Sequence, residues 1–191
     1  MDATKSFRFG VAFGLTALLF VPGADGPAHA AESAPANSAT APGEGLSHSA
    51  AAIHEEIRFE GSCARVYAAL TDAKRFDALT RLSDAVTLLS APNAKPTAIS
   101  AELGGPFTLF GGYITGRQLE MVRDKRLVQA WRAASWAAGD FSVVKFVLEP
   151  QGQACKVIFD HEGFPTSHGA SLLYGWRVHY WEPLAKLLAQ S

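Results

Sequence analysis

Charge is scarce in this sequence: only 18% of its 191 residues are Asp, Glu, Lys or Arg, against roughly 25% in ordinary soluble domains. The 17 basic and 18 acidic side chains nearly cancel, leaving a net charge of −1. Without an excess of either sign there is no electrostatic footprint for nucleic acid or for an anionic membrane surface, and neither is expected as a partner. Two cysteines are too few to staple a small disulfide-built fold. The apolar run Val11–Val21 falls short of the about 20 residues that a spanning helix needs, so no stable membrane anchor is expected. The chain carries no HExxH, no Cys/His cluster, no GxSxG elbow and no GxxxxGK[ST] loop. Metal hydrolysis, serine-hydrolase chemistry and phosphate-loop binding therefore have no motif to stand on, and no metal or cofactor is expected.

Apolar residues are plentiful, at 48%, enough to build the core of one domain at this length. The amino terminus reads as an export signal. Lys5 and Arg8 precede the apolar run, and Ala28-His29-Ala30 supplies the small-x-small cleavage pattern. Residues 1–30 are read as a signal peptide, residues 31–52, rich in Ala, Ser, Pro and Gly, as a disordered linker, and residues 53–191 as the folded domain. The expected location is the periplasm or the secreted fraction.

Within the domain, residues 53–60 alternate as a strand. Ser62 and Asp72 then stand where helix caps belong, ahead of two short helical patterns. A strand-like run at 85–89 follows. Period-two runs at 106–110, 113–121, 127–133, 142–148 and 156–161 come next, separated by Gly111-Gly112, Asp124-Lys125 and Gln151-Gly152. After Pro165 the period changes to that of a helix nearly 20 residues long, with Thr166 or Ser167 as the expected cap. Pro183 must kink or interrupt it, because proline has no N–H to donate. The order predicts an α+β fold: a curved antiparallel β-sheet wrapped around a long C-terminal α-helix, with two short helices after the first strand.

Five segments in order, GGPFTLFGGYITG (104–116), LVQAWRAASW (127–136), FSVVKFVLE (141–149), VIFDHEGFP (157–165) and GWRVHYWEPL (175–184), resemble one family. It is the activator of heat-shock protein 90 ATPase homologue, carboxy-terminal type, within the SRPBCC superfamily of START-like, helix-grip folds. The resemblance implies a cavity between the sheet and the terminal helix that holds an apolar or amphipathic small molecule, and no shared catalytic residues. Chaperone ATPase activation enters by family name only, and the export signal argues against it. The fold it implies also sets the first strand beside the last, which brings Cys63 near Cys155 and makes a disulfide between them an expectation in an oxidising compartment.

Phe107, Tyr113, Trp131, Phe146, His161, Trp176 and Tyr180 are the candidate ligand-binding residues, a set of rings with an indole N–H, a phenol and an imidazole to orient a ligand. His161 shares the inward face of its strand with Phe159 and is the candidate base, should the cavity be that of a cyclase or hydrolase. No second polar group for such chemistry is identifiable, so no catalytic residue is assigned. An interaction module with a filled core, presenting an exposed Trp181 to an unknown protein partner, is the remaining alternative.

Overall fold

The computed structural model describes residues 51–83, 85 and 93–190. The signal peptide, all but the last two linker residues, and the 86–89 part of the strand-like run lie outside the described residues.

Seven strands among the described residues form one antiparallel sheet. They are β1 (Ala51–Phe59), β2 (Ala98–Ile99), β3 (Pro106–Leu109), β4 (Ile114–Val122), β5 (Arg126–Ala133), β6 (Ser142–Gln151) and β7 (Ala154–Phe164), in the spatial order β1-β7-β6-β5-β4-β3-β2. Strands β3 to β7 follow one another as hairpins, and β1 closes onto β7 with Phe59 opposite Cys155. β1 begins at Ala51, inside the segment read as linker. Its first residues pair with Glu162 and Phe164 through the backbone, a contact that needs no anchoring side chain.

The helices α1 (Cys63–Thr71) and α2 (Ala73–Thr80) are set by their caps. Ser62 Oγ accepts from Arg65 N at 3.4 Å and Asp72 Oδ1 from Arg75 N at 2.9 Å, each satisfying a donor that the helix itself leaves open. A disulfide joins Cys63, the first residue of α1, to Cys155 near the start of β7, with the Cα atoms 4.9 Å apart. It ties the helical layer to one end of the sheet.

The C-terminal helix has three parts: α3 (Gly169–Trp176), a π-helical turn (Arg177–Trp181) and α4 (Glu182–Ala189). Neither Thr166 nor Ser167 caps it. The chain enters instead through a 3-10 turn at Thr166–His168 that has no side-chain cap, and Ser171 Oγ donates back to the His168 carbonyl. Pro183 sits in the first turn of α4, and just before it the Glu182 N–H reaches back five residues to the Arg177 carbonyl. The missing proline N–H is thus absorbed by widening one turn rather than by breaking the helix.

The concave face of the sheet and this helix share the core. Ser142, Val144, Phe146 and Leu148 of β6 all point inward, and the Phe146 ring lies 6.0 Å from that of Trp176. Gly116 in β4 is required by close approach, because a Cβ there would run into the Ala130 carbonyl and the Phe107 ring. On the outer face Asp160 pairs with His54 and Lys145. Burial alone would raise its carboxyl pKa, but hydrogen bonds from these two partners hold it below the usual range. Trp181 does not face solvent: it is buried, and its indole N–H donates to Glu55 of β1 at 2.8 Å.

Candidate functional site

A cavity of about 200 Å³ lies between the C-terminal helix and the β4–β5 end of the sheet. Its walls are mostly aromatic: Phe110, Tyr113, Trp131, Trp136, Trp176 and Tyr180, with Ile114, Leu172 and the small residues Ala133 and Gly175 between them. Phe110 is held in the left-handed backbone region at φ 49°, followed by Gly111 and Gly112, which are also left-handed. A bulky residue rarely adopts that conformation. Here it turns the Phe110 ring back onto Phe76 and Tyr180, 5.3 Å from each. Tyr113 Oη lies 3.1 Å from Ser135 Oγ and so pins the segment that carries Trp136 across one side of the cavity. No Asp, Glu, Lys or Arg lines the space among the described residues.

Two polar groups in this wall lack ordinary partners. Trp131 is 3% exposed and Tyr180 5% exposed, yet neither the Trp131 indole N–H nor the Tyr180 hydroxyl makes a hydrogen bond of proper geometry. They lie near enough to one another for the indole N–H to act as a donor towards the Tyr180 oxygen, which favours the phenolate. Burial dominates and raises the Tyr180 pKa well above the ordinary phenol range, so the hydroxyl keeps its proton. Even if the indole N–H is credited to the phenol oxygen, the Tyr180 hydrogen finds no acceptor.

His161, by contrast, is fully engaged. Trp176 Nε1 donates to His161 Nδ1 at 3.0 Å, and because an indole can only donate, Nδ1 must be bare. The ring proton therefore sits on Nε2 and is given to Ser142 Oγ at 2.7 Å. Ser142 in turn donates to the Trp131 carbonyl at 3.1 Å. Every proton in this chain is used once. The ring is 0% exposed, and burial pushes the His161 pKa down to about 3. Both nitrogens are committed to structure, so the residue expected to supply a base does not reach the cavity as one.

The family model described as Activator of Hsp90 ATPase homolog 1-like protein matches residues 61–189. The chain belongs to that family. Over 93 residues this Activator of Hsp90 ATPase homolog 1-like chain is 26% identical to the mouse protein named Activator of 90 kDa heat shock protein ATPase homolog 2, covering 49% of the chain and 28% of the relative. The human homolog 1 is 25% identical over 104 residues, or 54% of the chain and 31% of the relative. The matched region thus spans less than a third of the length of these curated relatives. Among solved structures, an HSP90 activator from Plasmodium falciparum superposes with a TM-score of 0.59 at 20% identity, over 72% of this chain and 96% of that one. A protein from Chromobacterium violaceum superposes at 0.57 with 19% identity, over 72% and 96%. At these identities the structures share the START-like fold.

Within this homolog 1-like domain the seven candidate residues separate into three groups. Tyr113, Trp131, Trp176 and Tyr180 line the cavity. Phe107 and Phe146 lie further along the sheet, beside Leu70 and Phe76 of the short helices, around a void of about 10 Å³. That void is too small to hold more than one water. His161 is outside this lining, where it accepts from the Trp176 indole and donates to Ser142, whose hydroxyl holds the Trp131 carbonyl. The wall also includes Phe110, Trp136, Gly175, His168 and His179, which were outside the candidate set. Gly175 had a legible signal, since a glycine in the middle of a helical stripe costs helix stability and calls for a packing reason.

Proposed function

We propose that this chain is an exported binding protein that holds one small apolar or amphipathic molecule between the sheet and the C-terminal helix. The observation that carries this reading is an aromatic cavity of about 200 Å³ with no Asp, Glu, Lys or Arg in its lining among the described residues. Burying roughly 200 Å² of a ligand's surface there contributes about 5 kcal/mol, before the cost of association.

Size limits the ligand. A dry cavity of roughly 150 Å³ holds a benzene ring, so about 200 Å³ suits a single-ring or short-chain molecule rather than a sterol or an intact lipid. The enzyme alternative loses its base, because His161 is consumed by Trp176 and Ser142. The interaction-module alternative loses its exposed anchor, because Trp181 is buried against Glu55. Activation of a chaperone ATPase remains a property of the relatives' names. Export is supported by the order of charged, apolar and small residues before Ala31 and by the disulfide, a bond that persists in oxidising compartments.

The test is native mass spectrometry of the protein purified, without reductant, from the extracytoplasmic fraction of its own host. The expected spectrum shows a chain shortened after Ala30 with a non-covalent adduct of roughly 100–200 Da, the mass range of a single-ring molecule. A protein that stays bare after incubation with small aromatic and short-acyl compounds would end the binding reading, and full-length protein confined to the cytosol would end the export reading. A variant sharpens the result. A Cβ at Gly175 would meet nothing nearer than His179 Cδ2 at 3.9 Å, so Gly175→Leu should fill the space and abolish the adduct. Because replacing a mid-helix glycine gains about 0.5–1 kcal/mol, the melting temperature should not fall. Retention of the adduct in Gly175→Leu would move the ligand elsewhere.

A further inference from the structure

We infer that Tyr180 sets the length of the bound molecule: its ring divides the cavity from a second apolar space beside the short helices, and a ligand of the native chain ends where that ring begins. This rests on the binding reading above and names the residue that limits ligand size there.

Three observations carry it. First, the two spaces share one residue. The cavity of about 200 Å³ is walled by Phe110, Trp131 and Trp176 among others, and the void of about 10 Å³ by Leu70, Phe76 and Phe146 among others. Among the described residues, Tyr180 alone belongs to both linings. Second, its ring is held between the two walls. The centroid lies 5.3 Å from that of Phe110 on the cavity side and 5.7 Å from that of Phe76 on the void side, edge-on to both. Phe76 and Phe110 also meet one another, which closes the space beside it. Trp176, one helical turn earlier, packs against it at 4.2 Å. A ring held on three sides in a close-packed interior does not step aside for a ligand. Third, exposure shows which end of the cavity is open. Tyr113 and Tyr174 of the lining are 42% and 57% exposed, and Ser171 is exposed beside them, whereas Tyr180 is 5% exposed. The opening is on the Tyr113 and Tyr174 side, and Tyr180 belongs to the inner wall. A molecule entering apolar end first leaves its polar end at the two phenols and comes to rest against the Tyr180 ring.

The test is a series of primary n-alcohols, from butanol to dodecanol, titrated calorimetrically into the native chain and its variants. Each CH2 that enters an apolar space tightens binding about fourfold. Affinity therefore climbs with chain length and stops climbing where the chain meets a wall. In the native chain that break is expected at about eight carbons, since roughly 150 Å³ holds the six carbons of benzene and the cavity is about 200 Å³. Tyr180→Ala joins the cavity to the void and should carry the climb past the native break. Tyr180→Phe removes only the hydroxyl and should break where the native chain does. Phe76→Ala deletes a ring from the void side alone, leaves Tyr180 and Phe110 in place, and should also keep the native break. Tyr180→Leu replaces the ring by a smaller apolar side chain. It should move the break in the same direction by less, and it serves if the alanine variant fails to fold.

An unmoved break in Tyr180→Ala or Tyr180→Leu would overturn the inference and leave the binding reading standing, because the native chain would still bind. A break that moves as far in Phe76→Ala would do the same, since the limit would then belong to core packing at large. So would a break that moves in Tyr180→Phe, which keeps the dividing ring. Saturation of Tyr180→Ala at two alcohols per chain would mean that truncation had made a separate hole rather than joined two spaces, and would also overturn it. If no alcohol binds the native chain the inference falls by itself, and the mass-spectrometric adduct then decides the binding reading independently.

Discussion

Lowering the pH from 7 to 3 should remove about 4 kcal/mol of folding stability through His161 alone. The folded pKa is near 3 because the ring is buried, whereas an unfolded histidine titrates at its ordinary value of 6.5. Between these values the unfolded chain binds a proton that the folded chain refuses. Stability is therefore complete above about pH 6.5 and is lost as the pH falls towards 3. The hydrogen bonds show why the proton is refused. Protonation at Nδ1 would set a second N–H against the Trp176 indole N–H, and no acceptor stands by to take either. The control is His161→Gln, whose amide oxygen can accept from Trp176 and whose NH2 can donate to Ser142, but which does not titrate. Denaturant unfolding at a series of pH values should show the native chain losing about 4 kcal/mol more than His161→Gln over this window. Carboxylates such as Asp160, held below its ordinary range by His54 and Lys145, contribute to both curves and cancel in the difference. Parallel curves would mean that His161 takes up its proton in the folded state, and the assigned hydrogen-bond chain would be wrong.

The fold was legible in the sequence wherever local chemistry decides it. Ser62 and Asp72 cap because a short polar side chain before a helix can reach the open N–H groups, and that depends on four or five neighbouring residues. Alternation placed Phe146 inward and Lys145 outward for the same local reason. The position of a side chain along its strand is another matter. Phe107 and Phe146 face inward as expected, but period two says nothing about which end of the concave face is filled by α1 and α2. Leu70 and Phe76 occupy that end, so those two phenylalanines are packed while Trp131 borders open space. Pro183 announced an interruption of the terminal helix. The form it took, a widened turn that buries Tyr180 and Trp181 together, depends on what the sheet offers them. Trp181 had a waiting acceptor in Glu55, distant in sequence, and Tyr180 had the cavity. His161 shows the same division: alternation turned it inward, and only tertiary structure could supply Trp176 and Ser142 to occupy both of its nitrogens.

Loss of the disulfide should cost about as much as acid. Cys63 and Cys155 are 92 residues apart, and closing a loop of that length removes about 4–5 kcal/mol of entropy from the unfolded chain. For a domain of this size the corresponding fall in melting temperature is roughly 15 °C. The bond lies at the far end of the sheet from the cavity, joining the first residue of α1 to β7 beside Phe59. Its loss should therefore lower stability without changing ligand preference at temperatures where the fold persists. The Cys63→Ser/Cys155→Ser pair, measured against the native chain with and without reductant, separates the covalent constraint from the packing of two sulfurs. Reduced native protein should melt close to the double variant. If reduction left the melting temperature unmoved, the constraint would contribute nothing to the folded domain. If the double variant also lost the bound adduct, the helical layer would have to transmit strain from α1 to the C-terminal helix. Arg65 of α1, whose guanidinium donates to the Leu188 carbonyl of α4 at 2.6 Å, is a direct route for it.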